Sequence, residues 1–549
     1  MNAPHDPLPV GERMGLSQHC EELTNCQGFL VRVYATAVPA PAPSPAEAAS
    51  IDPDVARAHS ASRLAELGLR LPLLAELAAP ESMPAKWQAA ALAADRLGPD
   101  FRNLYRLHWF NRASSPELAA VPEHVVLPES LTGVASPIVV ALGDRFPMIG
   151  AHKVLPAYAC LASRLATGRF DPTLHRAVWP STGNYARGGV AISRILGCRG
   201  VAVLPAGMSA ERFEWLERWV TAPEDIVRTP GTESNVKEIY DACDRLAADP
   251  ANVVLNQFAE MPNHLAHYFV TGAALDRLVR TVIAERPGAH LAAFVSASGS
   301  AGTLAAGDYL KERHGSLSAV VEALECPTLL ECGFGEHDIQ GIGDKHVPLV
   351  HNTSGTDVVV GVSDSVTDAL DVVFAAEEGR ELLGRRGVGD DVLIALDDFG
   401  LSAIANVVAS IKLAKRLRLG PTDVICTVAT DGAGLYALER AGRAARLGAD
   451  ALRAGARSPE LAGPLGADAL AWAVGRYLDA VADDHVLELT SVERRRIFNL
   501  GYFTWVEQRG VPLEDFEARR DPAWWAEQRS GLAALDASIA ELNRLAGTA

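Results

Sequence analysis

HLAAFVSASGSAGTLAAGDYL, residues 290–310, is the stretch from which the rest of the chain can be read. Its first eight residues are largely apolar without polar alternation, which suits a strand buried on both faces. Gly299-Ser300-Ala301-Gly302-Thr303 then turns the chain, and a helical pattern follows. Small residues let a backbone approach an anion closely, and a helix start adds free N–H groups and hydroxyls that hold its charge. The turn therefore predicts a phosphate loop. It carries neither GxGxxG nor GxxxxGK followed by Ser or Thr, so no nucleotide-binding fold is implied. Gly/Ser turns before helices are also common without any ligand.

The same grammar repeats outward. GVAVL (200–204), DIVRT (225–229), AVVEAL (319–324) and DVICTVAT (423–430) are short, apolar and bounded by Gly, Pro or Asp. Helix-like segments separate them. The expected fold class is α/β, with parallel-type sheets flanked by helices and ligands held at the carboxyl ends of strands. The flanks read differently. Residues 36–60 begin TAVPAPAPSPAEAASIDP, a linker or exposed loop, after a possible strand at 28–38; residues 55–95 look helical. Beyond about 455 the strands are expected to stop, leaving helices at 465–483 and 522–546. The domain reading is an N-terminal extension at 1–130, a core of two α/β subdomains at 131–450, and a helical C-terminal segment at 451–549.

Bulk properties narrow the classes. At 549 residues the chain is too long for one ordinary core. A net charge of −18 argues against nucleic acid or an anionic membrane surface as partner. No apolar run approaches the ~20 residues of a membrane helix, and the first residues lack a secretory pattern. Eight cysteines occur without CxxC; Cys20/Cys26 and Cys326/Cys332 are the tightest pairs, so reduced thiols in the cytoplasm are expected. The histidines show no ligand spacing such as HExxH, and no catalytic metal is expected.

Three further segments carry chemistry. In FPMIGAHKVLPAYACLASRL (146–165), Lys153 stands between a glycine turn and a helix start, where the dipole favours a neutral, nucleophilic amine. A solvated surface lysine is the plainer alternative. In AVWPSTGNYARGGVAISRIL (177–196), Ser181, Thr182, Gly183 and Asn184 end a strand and open a helix, which makes a carboxylate site or merely a well-capped helix. In GEHDIQGIGDKHVP (335–348), Gly341 and Gly343 suit a loop pressed against something flat.

Taken together these segments resemble the cysteine synthase and cystathionine β-synthase group of pyridoxal-phosphate enzymes, within the superfamily that includes tryptophan synthase β chains. The resemblance runs from about Ala135 to Tyr436. ASPIV (135–139) matches the family's T-P-L-V strand, GAHK (150–153) its Schiff-base lysine, and STGN (181–184) its S-G-N loop. LPAGMSAERF (204–213) is similar to M-P-x-x-M-S, LNQFAEMPNHLAHYFVTG (255–272) to the N-Q-F and N-P-x-x-H stretch, GSAGT to G-T-G-G-T, and HDIQGIG (337–343) to H-K-I-Q-G-I-G.

The resemblance implies a two-domain fold of the fold-type-II class, pyridoxal 5'-phosphate as cofactor and a homodimer. It implies that Lys153 forms the Schiff base and moves the Cα proton. Gly299, Ser300, Ala301, Gly302 and Thr303 would hold the phosphate. Ser181, Thr182, Gly183, Asn184 and Gln257 would hold the substrate carboxylate, with Asn184 also at the cofactor's ring hydroxyl. Gly341 would lie near the substrate amine or ring. Where the family sets Ser or Thr against the pyridine nitrogen, CTVATDGAGLY (426–436) offers Asp431, with Thr430 as the alternative. Ala301 replaces a family glycine, which requires that its backbone not be left-handed. The implied reaction is β-elimination or β-replacement on a serine- or cysteine-like amino acid through an aminoacrylate. The alternatives are an ammonia-lyase or dehydratase of the same fold, or an inactive cofactor-binding regulatory protein.

Overall fold

The computed structural model describes residues 22–24, 30–32, 51–456 and 466–548. Residues 1–42 and 43–549 form two separate units. In the first, β1 (Glu22–Thr24) pairs antiparallel with β2 (Leu30–Arg32), which falls inside the strand expected at 28–38.

The second unit is built on two sheets. The larger contains β3 (His124–Leu127), β4 (Ile138–Leu142), β9 (His290–Ala297), β10 (Leu317–Ala323), β11 (Val358–Val362), β12 (Asp423–Ala429) and β13 (Val486–Glu488). Their order across the sheet is β13-β11-β10-β9-β12-β4-β3. The five inner strands run parallel, and the two edge strands are antiparallel to their neighbours. The smaller sheet is wholly parallel, in the order β7-β6-β5-β8, from β5 (Arg176–Pro180), β6 (Arg199–Pro205), β7 (Ile226–Thr229) and β8 (Asn252–Val254). The chain starts the large sheet, leaves to build the small one, and returns.

Burial explains the unalternating strand sequences. Val139, Phe294, Cys426 and Val428 pack into one core with the helices Val154–Ala166 and Gly272–Ala284. Their neighbours Ile138, Val140, Ala293, Val295 and Ile425 pack into another with Asp364–Ala375 and Leu401–Leu417. Both faces of the pleat are covered, so residues pointing either way must be apolar.

Two expectations are corrected. The strands do not stop near 455, because β13 pairs with β11 as an edge strand. It is three residues long, too short for any periodicity to reveal it. The run at 36–60 is not loop throughout: a helix spans Pro53–Leu67, with the Asp52 carboxylate accepting the Asp54 N–H and proline in the first turn. The rest of that run before 51 lies outside the described residues, as do Cys20 and Cys26. Residues before 131, read as an N-terminal extension, contribute β3 and part of one core, including Trp87, Tyr105 and Trp109. Among the described residues Cys160, Cys198, Cys243, Cys326 and Cys426 are free thiols. No helix among the described residues is long and apolar enough to cross a membrane.

Candidate active site

Most of the candidate residues follow the carboxyl end of a strand. β9 leads into Gly299–Thr303 and the helix Leu304–His314. β5 leads into Ser181–Gly183 and the helix Asn184–Ile195. β12 ends at Ala429 with Thr430 and Asp431 next in the chain, and Gln257 comes shortly after β8. Lys153 is the N-cap of the helix Val154–Ala166. Its loop is tied to the end of β12 by the His152 N–H donating to the Thr430 carbonyl (3.2 Å) and by a bridge between Ala151 and Asp431.

One cavity gathers them. Lys153, Ser181, Thr182, Asn184, Gln257, the Gly299–Thr303 turn, Gly341, Thr430 and Asp431 all line it. Gly183 does not line it but shapes its loop, donating its N–H to Ser181 Oγ (2.9 Å).

Lys153 Nζ donates to Gln257 Oε1 and to Ser300 Oγ, both at 3.1 Å. Ser300 Oγ also accepts from Asn263 Nδ2 (3.1 Å), which reaches the Gln257 carbonyl as well (2.8 Å). One network thus joins the lysine, the small-residue turn and the Gln257 loop. Desolvation lowers the Lys153 amine to about 8, and the Asp344 charge opposes the shift. The expected neutral amine therefore arises mainly from burial.

The second network lies around Asp431, which is 1% exposed. Its Oδ2 accepts from Asn184 Nδ2 (2.6 Å) and Tyr436 OH (2.9 Å), while its Oδ1 is buried without a partner. Burial raises its carboxyl above the usual range, against the nearby Arg212. Thr430 is spoken for differently, its hydroxyl pairing with Ser402 Oγ at 2.9 Å. Arg187 Nη1 fixes the Asn184 amide oxygen (3.0 Å).

The turn itself is tight. A Cβ on Gly299 would stand 2.5 Å from the Gly341 carbonyl oxygen, so only glycine lets these two loops touch. A Cβ on Gly302 would fall on the side-chain oxygen of Asn263. The requirement placed on Ala301 is not met: its φ is +61°, in the left-handed region. For a lone alanine this costs about 1–2 kcal/mol, so here the chain tolerates strain where the family pattern has glycine.

Sequence reading missed several neighbours. His152 sits beside Thr303, Nε2 to Oγ1 3.2 Å, and burial lowers its imidazole to about 3, so it is neutral. Glu233 Oε1 accepts the Gly341 N–H (2.7 Å). Arg212 is buried, with Nη2 3.4 Å from Tyr436 OH. Asp344 lines the cavity. Arg212 and Asp344 lie inside segments already singled out, LPAGMSAERF and GEHDIQGIGDKHVP, and a charge within these stretches was the available signal. Glu233 lay in a segment with no motif.

The family model described as pyridoxal-phosphate dependent enzyme matches residues 131–431. The chain is 30% identical to cysteine synthase B of Campylobacter jejuni over 253 residues, which is 45% of this chain and 74% of that protein. It is 30% identical to cystathionine beta-synthase of Saccharomyces cerevisiae over 233 residues, 41% of this chain and 43% of that protein. Among solved structures, a hydrogen sulfide-producing enzyme from Fusobacterium nucleatum superposes with a TM-score of 0.48 at 21% identity, covering 67% of this chain and 95% of the other.

Proposed function

Because the chain belongs to the pyridoxal-phosphate dependent enzyme family, we propose that it catalyses β-elimination or β-replacement on a serine- or cysteine-like amino acid. The observation that carries the reading is Lys153: an amine of lowered proton affinity, held between Gln257 and Ser300 in the cavity that the motif loops line.

The residues fit the cofactor. Lys153 would hold it covalently. The Gly299–Thr303 turn, at the start of the helix Leu304–His314, would take the phosphate on backbone N–H groups and hydroxyls. The buried, unpartnered Asp431 Oδ1 suits the ring nitrogen, whereas the Thr430 hydroxyl is already paired with Ser402. Neutral His152 and the Thr303 hydroxyl add polar groups without adding charge. When bound, pyridoxal phosphate supplies an electron sink that stabilises negative charge at the substrate Cα.

The chain's own groups do the rest. Ser181, Thr182, Asn184 and Gln257 bind the substrate carboxylate through hydroxyls and amides. Lys153, whose amine is neutral in a useful fraction near pH 8, takes the proton from Cα. The contact between Gly299 and the Gly341 carbonyl keeps the two loops together over the cavity.

The test is direct. Purified protein is supplied with pyridoxal phosphate, reduced with borohydride and mapped by mass spectrometry; the label is expected on Lys153 and absent in Lys153→Ala. The same protein is then mixed with a panel of amino acids, and its absorbance is expected to change with serine, cysteine or an O-acylated serine. A colourless, unlabelled protein, or one that responds only to amino acids without a Cβ leaving group, would end the reading.

A further inference from the structure

Asp344 is 8% exposed and lines the same cavity as Lys153. Among the described residues its carboxyl has no hydrogen-bond partner, and its only attractive charge is Lys153. That is unusual, because buried carboxyls in proteins are nearly always hydrogen-bonded. The other acid in the cavity wall, Asp431, is held by Asn184 and Tyr436. Asp344 therefore serves no visible structural end, and the space it faces is the space substrate would fill.

Resting on the function proposed above, we propose that Asp344 is a second catalytic acid–base, acting on the group at the substrate Cβ while Lys153 acts at Cα. In elimination the Cα–H bond breaks, its proton goes to Lys153, and its electron pair becomes the Cα–Cβ double bond. The bond from Cβ to the leaving group X breaks, X departs with that electron pair, and it takes the proton of Asp344 to leave as HX. In replacement the Asp344 carboxylate takes the proton of an incoming H–Nu. The lone pair of Nu bonds to Cβ, and the double-bond pair takes the proton of Lys153 at Cα.

The surroundings allow this exchange. Burial pushes the Asp344 carboxyl up to about 7, so it gives and takes a proton near neutrality. The titratable groups that face it are Lys153, Glu233, Tyr240 and Cys326. The last three are all raised by burial and so stay neutral near pH 7, leaving Lys153 as the one cation. Once that amine is neutral, nothing holds Asp344 ionised. The substrate class follows: leaving groups that need a proton, a hydroxyl or a thiol, in preference to ones that leave freely as anions.

The experiment compares wild type with Asp344→Asn, both loaded with cofactor, on serine, cysteine and β-chloroalanine. Chloride departs without a proton. The expected result is a loss of about 100-fold or more in kcat with serine and cysteine, and near wild-type turnover of β-chloroalanine, which also proves the variant folded. A second readout needs no turnover: in cofactor-free protein, NMR of 13C-methylated lysines should show the Lys153 midpoint falling in Asp344→Asn, since the stabilising carboxylate is gone. Equal losses on all three substrates, no loss on any, or an unmoved Lys153 midpoint would overturn the role of Asp344 alone. A wild type that turns over none of the three would overturn the proposed function and this inference with it.

Discussion

At Lys153, burial and charge oppose each other. Its amine has a folded value of about 8 against 10.5 for a free lysine. Below about pH 8 both folded and unfolded states carry the proton, and the folded state bears the full cost of a desolvated ammonium. Between about 8 and 10.5 the unfolded chain still binds the proton and the folded one does not, so stability rises with pH. At ~1.4 kcal/mol per pH unit the cost is at most about 3 kcal/mol, less because the side chain keeps some exposure within the cavity. Cofactor-free Lys153→Met is expected to be more stable than cofactor-free wild type by about 1–3 kcal/mol at pH 6–7. The gap should close as pH rises through 8 towards 10. Urea denaturation at stepped pH reads it, and a gap independent of pH would contradict it. The lysine was legible because its flanking turn and helix start are local. The cause of its shift was not, because the groups that desolvate it come from distant segments.

The element that matters most to the site is the helix Leu304–His314. Its N-terminus makes the small-residue turn, and its body is anchored from far along the chain. Arg529, 9% exposed at its side chain, reaches Asp308 at 2.5 Å and also bonds Glu312. Asn352 Nδ2 adds a second bond to Asp308 (2.9 Å), and burial raises that carboxyl to about 6. Removing one partner of a buried pair leaves the other uncompensated, at a cost of about 3–5 kcal/mol. Arg529→Ala is expected to lose about 3 kcal/mol in chemical denaturation and to hold cofactor less tightly, as the helix start loosens. The pair Arg529→Met with Asp308→Asn should recover most of the stability. If the double variant is as unstable as the single, packing and not the uncompensated charge is the cause. The turn and helix were readable from residues 299–310; the arginine that steadies them, some 220 positions later, was not.

Across the whole described unit, the two flanks of the core hold each other. Asn543 Oδ1 accepts the Leu71 N–H and its Nδ2 donates to the Leu71 carbonyl, both at 2.8 Å. Asp536 accepts the N–H groups of Leu74 (2.8 Å) and Ala75 (3.0 Å), 462 and 461 positions away in sequence, and so caps a short helix. Trp525, Ile539 and Leu542 are all at most 1% exposed. At roughly 1.5–3 kcal/mol per large apolar side chain, these three alone approach the 5–15 kcal/mol that separates a typical folded domain from its unfolded chain. A chain ending at 521 is expected to accumulate poorly as soluble protein and to bind no cofactor, read by soluble yield and by the cofactor absorbance. Soluble, coloured truncated protein would show the C-terminal helices to be dispensable.

By itself the sequence determined the alternation of buried strands and helices, the segments that meet at the cavity, and the lysine among them. These are local matters: an apolar run, a turn of small residues and a capped helix start each form from neighbours a few positions apart. Only the tertiary structure decided that β3 and β13 close the large sheet, that Ala301 accepts a left-handed backbone, and that Asp344 stands free beside Lys153 while Asp431 is engaged. Each of these depends on what desolvates or pairs a group once the chain has folded back on itself, and such partners leave no trace in the spacing of nearby residues.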